Sequence, residues 1–344
     1  SVYRRTARAA AKQQVVKKTS SVDVDRARTD FAYFCDVVGD KPPAEHMQLW
    51  HEHLYTHQDS ECLIDIAGPN VDILAPRGSA KSTVLGLFTA WAIGIHALNK
   101  KPLKILYISY TVDVARPKSA AIKRIIEDSK LYREIFPTVK IAKGINSNEY
   151  WSIDWKFAGI RSTGEEEFSL CCAGLKGAVT SKRSHLCIID DAIKSADDIK
   201  NKDIRVAMED NWNSVIVPTM FEGGRAICLG TRFRHDDIHQ TTFTPDNDWI
   251  QIIQSAVTVN EEGDEKSYWP DMWSLEYLKD RKRQSPISFS FQYQNQVVRT
   301  TDMSVSPDLI IKGQIPTEFD CIGVGVDLSA GVRERNDYTV FFFF

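Results

Sequence analysis

The stretch DILAPRGSAKSTVLGLF, residues 72 to 88, decides how the rest of the chain is read. An apolar run ends at Pro76 and a loop of small residues follows. Lys-Ser-Thr at 81 to 83 then opens a helix-periodic segment carrying Leu85, Phe88, Trp91 and Ala92. Strand, small-residue loop and helix in that order gather backbone N–H groups at a helix N-terminus, where phosphates bind. The lysine then faces the β- and γ-phosphates, and the Ser82 hydroxyl faces Mg²⁺. A lysine at the positive end of a helix dipole is unfavourable without an anion, which argues against a bare helix start. The two glycines usual in such a loop are replaced here by Ala75 and Ala80. Alanine suits these places as long as the backbone there is not left-handed, and Gly78 and Ser79 keep the loop small.

A phosphate loop needs a second half, a hydrophobic strand ending in acids, and LCIIDDAIK at 186 to 194 supplies it. Asp190 at the strand's end is placed to hold the Mg²⁺ shell, and Asp191 to orient the attacking water, a role more often given to Glu. The expectation is that Lys81 and these carboxylates meet at adjacent strand tips around one magnesium-bound triphosphate.

Around these two halves the chain alternates. Strand-like runs are VDILAP (71–76), LKILYISY (103–110), HLCIID (185–190), GRAICLG (224–230) and WIQIIQSAV (249–257), with helical patterns at 81–98, about 114–129 and 204–216. The fold class is therefore α/β, a mostly parallel, doubly wound sheet flanked by helices. A polar stretch at 260–273 interrupts the alternation, and the charged helix-like SLEYLKDRKRQS follows it. After FQYQNQVV (291–298) come a Pro-containing linker and one more strand, CIGVGVDLSAG (321–331), as if a second domain began there. Four phenylalanines at residues 341–344 make a poor solvated end, so the chain reads as truncated.

Bulk properties leave the partner open. The chain has 344 residues, 43% hydrophobic and 26% charged, room for about two domains. The formal net charge of -3 gives no global basic field, so a nucleic-acid surface has to be local. Residues 1–30 form a basic leader with Arg4, Arg5, Arg8, Lys12, Lys17, Lys18, Arg26 and Arg28, either a solvated tail or an arm for a neighbouring subunit or DNA. Seven cysteines without a CxxC pair, two of them inside apolar runs, point to reduced buried thiols and a cytosolic setting. The apolar run at 84–98 is too short and too near Lys81 and Lys100 to read as a membrane span.

Taken in order, these motifs resemble the large terminase subunit of tailed double-stranded DNA phages, the ATP-driven motor that packages genomes. The resemblance covers about residues 40–340. APRGSAKST is similar to that family's divergent phosphate loop, with Arg77 four residues before the lysine. LKILYISYTVDVARPKSAAIKRII resembles its next strand and helix, and GLKGAVTSKRSHLCIIDDAIKS its approach to the acidic strand. ICLGTRF resembles its coupling motif, and WSLEYLKDRKRQSPISFSFQYQNQ the segment that closes the motor domain.

The resemblance implies a P-loop NTPase of the ASCE type over 31–300, with a closing subdomain at about 258–300. A linker at 301–318 and the start of a ribonuclease-H-like nuclease at 319–344 would follow. It implies ATP and Mg²⁺ as cofactors, with Mg²⁺ or Mn²⁺ for the nuclease. EHMQLWHEH is similar to the adenine-contacting glutamine motif and nominates Gln48. Pro76, Arg77, Gly78, Ser79, Ala80, Lys81, Ser82 and Thr83 would bind ATP, with Ser82 and Asp190 as Mg²⁺ ligands. Asp191 would activate water, Thr231 sense the γ-phosphate, and Arg183 reach a neighbouring subunit's ATP, with Lys176 and Lys182 as rivals. In IGVGVDLSAGVRERNDYTVFFF, Asp327 would be the first nuclease carboxylate, with Asp337 nearby and the remaining acids missing, so no competent nuclease is expected here.

The implied partners are double-stranded DNA, the portal protein, the small terminase subunit and a homo-oligomeric ring on the procapsid in the host cytoplasm. Lys140, Lys143, the KSADDIKNK loop and Arg281, Lys282 and Arg283 are candidate phosphate contacts. Two other readings share these residues: a helicase-like nucleic-acid-dependent ATPase, and a non-hydrolysing module that only clamps nucleotide.

Overall fold

The computed structural model describes residues 22–58, 63–65, 67–162, 167–177, 182–296, 324–327 and 340–343. Its strands in chain order are β1 (Thr56–Gln58), β2 (Leu63–Asp65), β3 (Asn70–Leu74), β4 (Ile105–Ser109), β5 (Ile141–Asn146), β6 (Tyr150–Ile153) and β7 (Leu170–Gly174). They continue with β8 (Ser184–Asp190), β9 (Met220–Gly230), β10 (Trp249–Ile253), β11 (Val257–Val259), β12 (Glu265–Ser267), β13 (Val324–Asp327) and β14 (Val340–Phe343). Contacts divide the chain into two units, residues 1–298 and 299–344.

The first unit is built on one eight-stranded sheet ordered β10-β3-β9-β8-β4-β7-β6-β5. Its six strands from β10 to β7 run parallel, and β6 and β5 are antiparallel additions at one edge. Both faces of the parallel part are covered, so its strands read as continuous apolar runs rather than alternating ones. Period two still sorts their side chains. Ile105, Tyr107, Leu186, Ile188, Ile227 and Leu229 join the core beneath the helix Lys81–Leu98, while Leu106, Ile108, Cys187, Ile189, Ala226 and Cys228 join the opposite one.

The expected strands and helices of the parallel core are all present, and Lys81–Leu98 has the predicted bounds. That helix is the one among the described residues long and apolar enough to cross a membrane, but it is largely buried inside the fold. On its flank pack helices Phe31–Val38 and Glu45–Leu54, through Phe31, Phe34, Trp50 and Leu54. The other face of the sheet is closed by Lys202–Asn211 and its π-helical continuation Trp212–Ile216, with Trp212, Phe243 and Trp249 in mutual ring contact. Among the described residues Cys35, Cys172, Cys187 and Cys228 are buried free thiols and Cys171 a half-buried one, while Cys62 and Cys321 lie outside the described residues.

Composition assigns residues 1–30 to a tail, yet Val24–Thr29 is a helix capped by the Asp23 carboxylate, which accepts from the Arg26 N–H. Ala27 is fully buried and its carbonyl accepts from Trp91 Nε1 at 3.0 Å. Val22 packs on the same core and Arg28 Nε donates to the Ile135 carbonyl at 2.9 Å, so a segment that composition alone marks as solvated is docked by a few specific contacts. Residues 1–21 and the linker 301–318 lie outside the described residues. In the second unit β13 and β14 pair antiparallel, with Val324 opposite Phe343 and Asp327 opposite Val340. The Asp327 side chain and the whole of Asp337 lie outside the described residues.

Candidate nucleotide site

At the C-terminal edge of the parallel strands a cavity of about 410 Å³ is lined by Arg77, Gly78, Ser79, Ala80, Lys81, Ser82 and Thr83. Asp191, Thr231, Tyr110, Lys118 and Lys194 also line it. Open parallel sheets place ligands at this edge, beyond the carboxyl ends of their strands. The loop between β3 and the helix Lys81–Leu98 is tight because Gly78 (φ 81) and Ala80 (φ 64) both adopt left-handed backbone. The sequence reading allowed alanine at 80 on the condition that it was not left-handed, and here it is. Ala75, at the other glycine place, is not among the left-handed residues and needs no glycine. The helix has no side-chain N-cap and no acid within its own first turn, which leaves its opening N–H groups without a side-chain partner.

Lys81 is buried, and its ammonium donates to the carbonyls of Ala75 and Pro76, both at 3.2 Å, and to Thr231 Oγ1 at 2.9 Å. Burial lowers its pKa, and the carboxylates of Asp191 and Asp190 act in the opposite direction. The Ser82 hydroxyl donates to Asp190 Oδ1 at 2.8 Å, so the two expected Mg²⁺ ligands are in direct contact. Asp190 is fully buried at the end of β8, and its Oδ2 accepts from Tyr107 OH at 2.7 Å and pairs with Lys118 Nζ at 2.9 Å. Asp191, the next residue, has φ 55 and lines the cavity; burial raises its pKa, with Lys81 pulling it down and Asp190 up.

The expected adjacency of strand tips is corrected in one respect. β9 lies between β3 and β8, so Lys81 and Asp190 are separated by a strand whose end delivers Thr231. Sequence order carries no information on that insertion. Thr231 thus touches Lys81 directly, and the following Arg232 is buried with its N–H donating to Asn295 Oδ1 at 3.2 Å. This ties the end of β9 to the segment that closes the unit.

The loop is also gripped from outside. Arg77 N–H donates to the Gln292 carbonyl at 2.8 Å, and its guanidinium to Gln292 Oε1 at 2.8 Å. Trp273 Nε1 donates to the Gly78 carbonyl at 3.2 Å. From the helix Glu45–Leu54 it is His46 whose Nε2 lies 3.2 Å from the Ser79 carbonyl. Gln48, nominated for adenine, is instead exposed and does not line the cavity, because helical periodicity turns it away from the face carrying His46, Met47 and Trp50.

Arg183 is exposed and directly precedes β8, at the end of that strand opposite Asp190. Lys176, just past the end of β7, sits on the cavity's edge of the sheet, and its Nζ reaches the Tyr110 hydroxyl at 3.1 Å. Lys182 lies over the Tyr150 ring at 4.4 Å. Of the candidate phosphate contacts, Lys140 pairs with Asp154 at 3.3 Å, Arg281 lies over the Tyr277 ring at 5.2 Å, and Arg283 pairs with Asp280.

Sequence reasoning missed Tyr107, Ser109 and Lys118. Tyr107 and Ser109 are polar at i and i+2 of an otherwise apolar strand, which is a period-two signal for a shared target, here Asp190. A second buried polar group, Asp72 with His239 Nδ1 at 3.0 Å and Cys228 alongside, has the composition of a metal site. Asp72 also accepts from Gln251 Nε2 at 3.1 Å, so its carboxylate is held within a buried hydrogen-bonded group of the core.

No family profile and no curated protein matches this chain. Solved structures do. The large terminase of bacteriophage HK97 is 14% identical with a TM-score of 0.49, the match covering 94% of this chain and 68% of that one. A variant of the large terminase ATPase domain of Thermus phage P74-26 is 13% identical with a TM-score of 0.47, covering 77% and 98%. The bacteriophage Phi-29 genome packaging motor assembly is 14% identical with a TM-score of 0.32, covering 76% and 74%. These likenesses concern the path of the chain alone.

Proposed function

We propose that this chain is the ATP-hydrolysing part of a large terminase, a motor that drives double-stranded DNA into a procapsid. The observation that carries the reading is that Lys81, Ser82, Asp191 and Thr231 line one cavity beside a helix N-terminus that no side chain caps, with Asp190 buried directly behind Ser82 and hydrogen-bonded to it. Ser82 and Asp190 present hard oxygen donors in contact with each other, a set that fits Mg²⁺, which prefers oxygen ligands. Bound there, the ion neutralises charge on the β- and γ-phosphates.

Each residue then has a defined task. The N–H groups opening the helix and the Lys81 ammonium take the phosphates, and Arg77 adds a cation at the rim. Asp191 orients water for attack, its carboxylate held beside the cavity by a left-handed backbone. Thr231 shares a hydrogen bond with Lys81, so loss of the γ-phosphate alters the end of β9 and, through Arg232 and Asn295, the closing segment. Arg183 acts on a neighbouring subunit's site within a ring. DNA is held through its phosphates, which suits translocation because those contacts carry no sequence information. The pair β13 and β14, with Asp327 at the end of β13, is the opening hairpin of the nuclease unit in this reading.

The test is ATP hydrolysis with and without double-stranded DNA. Lys81→Ala should lower turnover by at least about 10²-fold, the scale of removing one preorganised charge-stabilising donor. No turnover in the wild type would instead favour a module that clamps nucleotide without hydrolysing it, and turnover unchanged in Lys81→Ala would overturn the role of Lys81 at this site.

A further inference from the structure

We propose that Lys118 is a positioning residue that guards Asp190 against free divalent cations, so that metal enters the site only together with nucleotide. The inference rests on the nucleotide-site reading above. Lys118 lies on the helix Val112–Asp128, directly after Pro117, and its ammonium is wholly engaged at the acidic strand's end. It pairs with Asp190 Oδ2 at 2.9 Å, donates to the Asp190 carbonyl at 3.0 Å and reaches Ser109 Oγ at 3.3 Å. With Ser82 on Oδ1 and Tyr107 also on Oδ2, both carboxylate oxygens of Asp190 are covered. The Lys118 side chain is 20% exposed and lines the same cavity as Lys81 and Arg77.

A lone divalent cation entering this cavity meets four cations, Arg77, Lys81, Lys118 and Lys194, against the one carboxylate on its wall, Asp191, and an Asp190 carboxylate that already accepts from Ser82, Tyr107 and Lys118. Triphosphate reverses that balance, because its negative charge attracts the lysines and the metal alike. The helix that carries Lys118 is held by its other residues. Ala115, Ser119 and Ile122 are buried, and Ser119 accepts from Trp151 Nε1 at 2.8 Å. A change at position 118 alone leaves those contacts intact.

The experiment titrates the full chain with Mn²⁺ in the absence of nucleotide and follows the free-ion signal by electron paramagnetic resonance. Lys118→Met should bind Mn²⁺ at least about tenfold more tightly than wild type, the scale of removing one like charge within a few ångströms. Lys118→Arg, which keeps the charge, should bind it as weakly as wild type, and Lys118→Met combined with Asp190→Asn should lose the gain. Equal Mn²⁺ affinity in wild type and Lys118→Met overturns the proposal. Calorimetric titration of wild type with ATP and Mn²⁺ tests the underlying reading separately. No binding there overturns the nucleotide site itself, whereas binding with no effect of Lys118→Met in the first experiment overturns the guard alone. Should Lys118→Met fail to fold by circular dichroism, Lys118→Gln is titrated with the same two outcomes.

Discussion

Asp191 holds two properties that normally exclude each other at a surface turn: left-handed backbone at φ 55, and a carboxyl whose pKa is raised by burial. Asn tolerates that conformation nearly as well as Asp, so Asp191→Asn isolates the charge, whereas Ala would add strain. The sign of the pH effect follows from linkage. A folded-state pKa above the ordinary 3.8 means that the native state holds the proton more readily than the unfolded chain does. The stability associated with the neutral form is present below 3.8 and lost as pH rises through the raised value. Asp191→Asn should therefore melt above wild type at about pH 8, with the gap closing toward about pH 4, while losing hydrolysis. Thermal melts across that range check it, and a variant less stable at every pH would contradict the buried-carboxylate account. Lys81, Ser82, Asp190 and Asp191 were legible because each sits inside a short local motif. Lys118 and His46 were not, because what they touch lies far away in the sequence.

The junction between β3 and the helix Lys81–Leu98 shows what an element costs when its linker departs from the usual residues. Ala80 caps that helix with φ 64, a conformation that costs a side-chain-bearing residue roughly 1–2 kcal/mol. Glycine removes that strain but makes the unfolded chain freer by about 0.4–1 kcal/mol. Ala80→Gly should thus raise stability by about 1 kcal/mol or less, read as a higher denaturant midpoint at unchanged slope. A lower midpoint would mean that position 80 is not left-handed in solution. Elements buried on both faces, such as β4 and β8, announced themselves as uninterrupted apolar runs. β5 did not, since Lys143 and Gly144 break its pattern and none of its six residues is buried. The helices Phe31–Val38 and Glu45–Leu54 escaped because eight to ten residues are fewer than a periodicity argument needs, even though Phe31, Phe34 and Cys35 fall at helical spacing.

At the scale of the whole molecule, the direction of β8 constrains how an arginine completes the site. Asp190 ends that strand and Arg183 precedes its seven residues, which at about 3.3 Å per residue separates them by roughly 23 Å. Arg183 therefore cannot serve the cavity of its own subunit, and its proposed role requires a neighbour. Specific ATPase activity should climb with protein concentration as subunits associate, and Arg183→Ala should lower it by about 10³-fold or more, the scale of an arginine finger. Mixing gives the sharper measurement. Lys81→Ala subunits lack a working site but still carry Arg183, and Arg183→Ala subunits keep the site but lack the arginine. Neither turns over ATP alone, yet a mixed assembly contains interfaces where an intact Lys81 faces an intact Arg183, so combining the two inactive proteins should restore part of the activity. A concentration-independent rate, together with no recovery on mixing, would move the charge-stabilising role to a cation already at the cavity within the same subunit, and Arg77 at its rim is the residue placed for it.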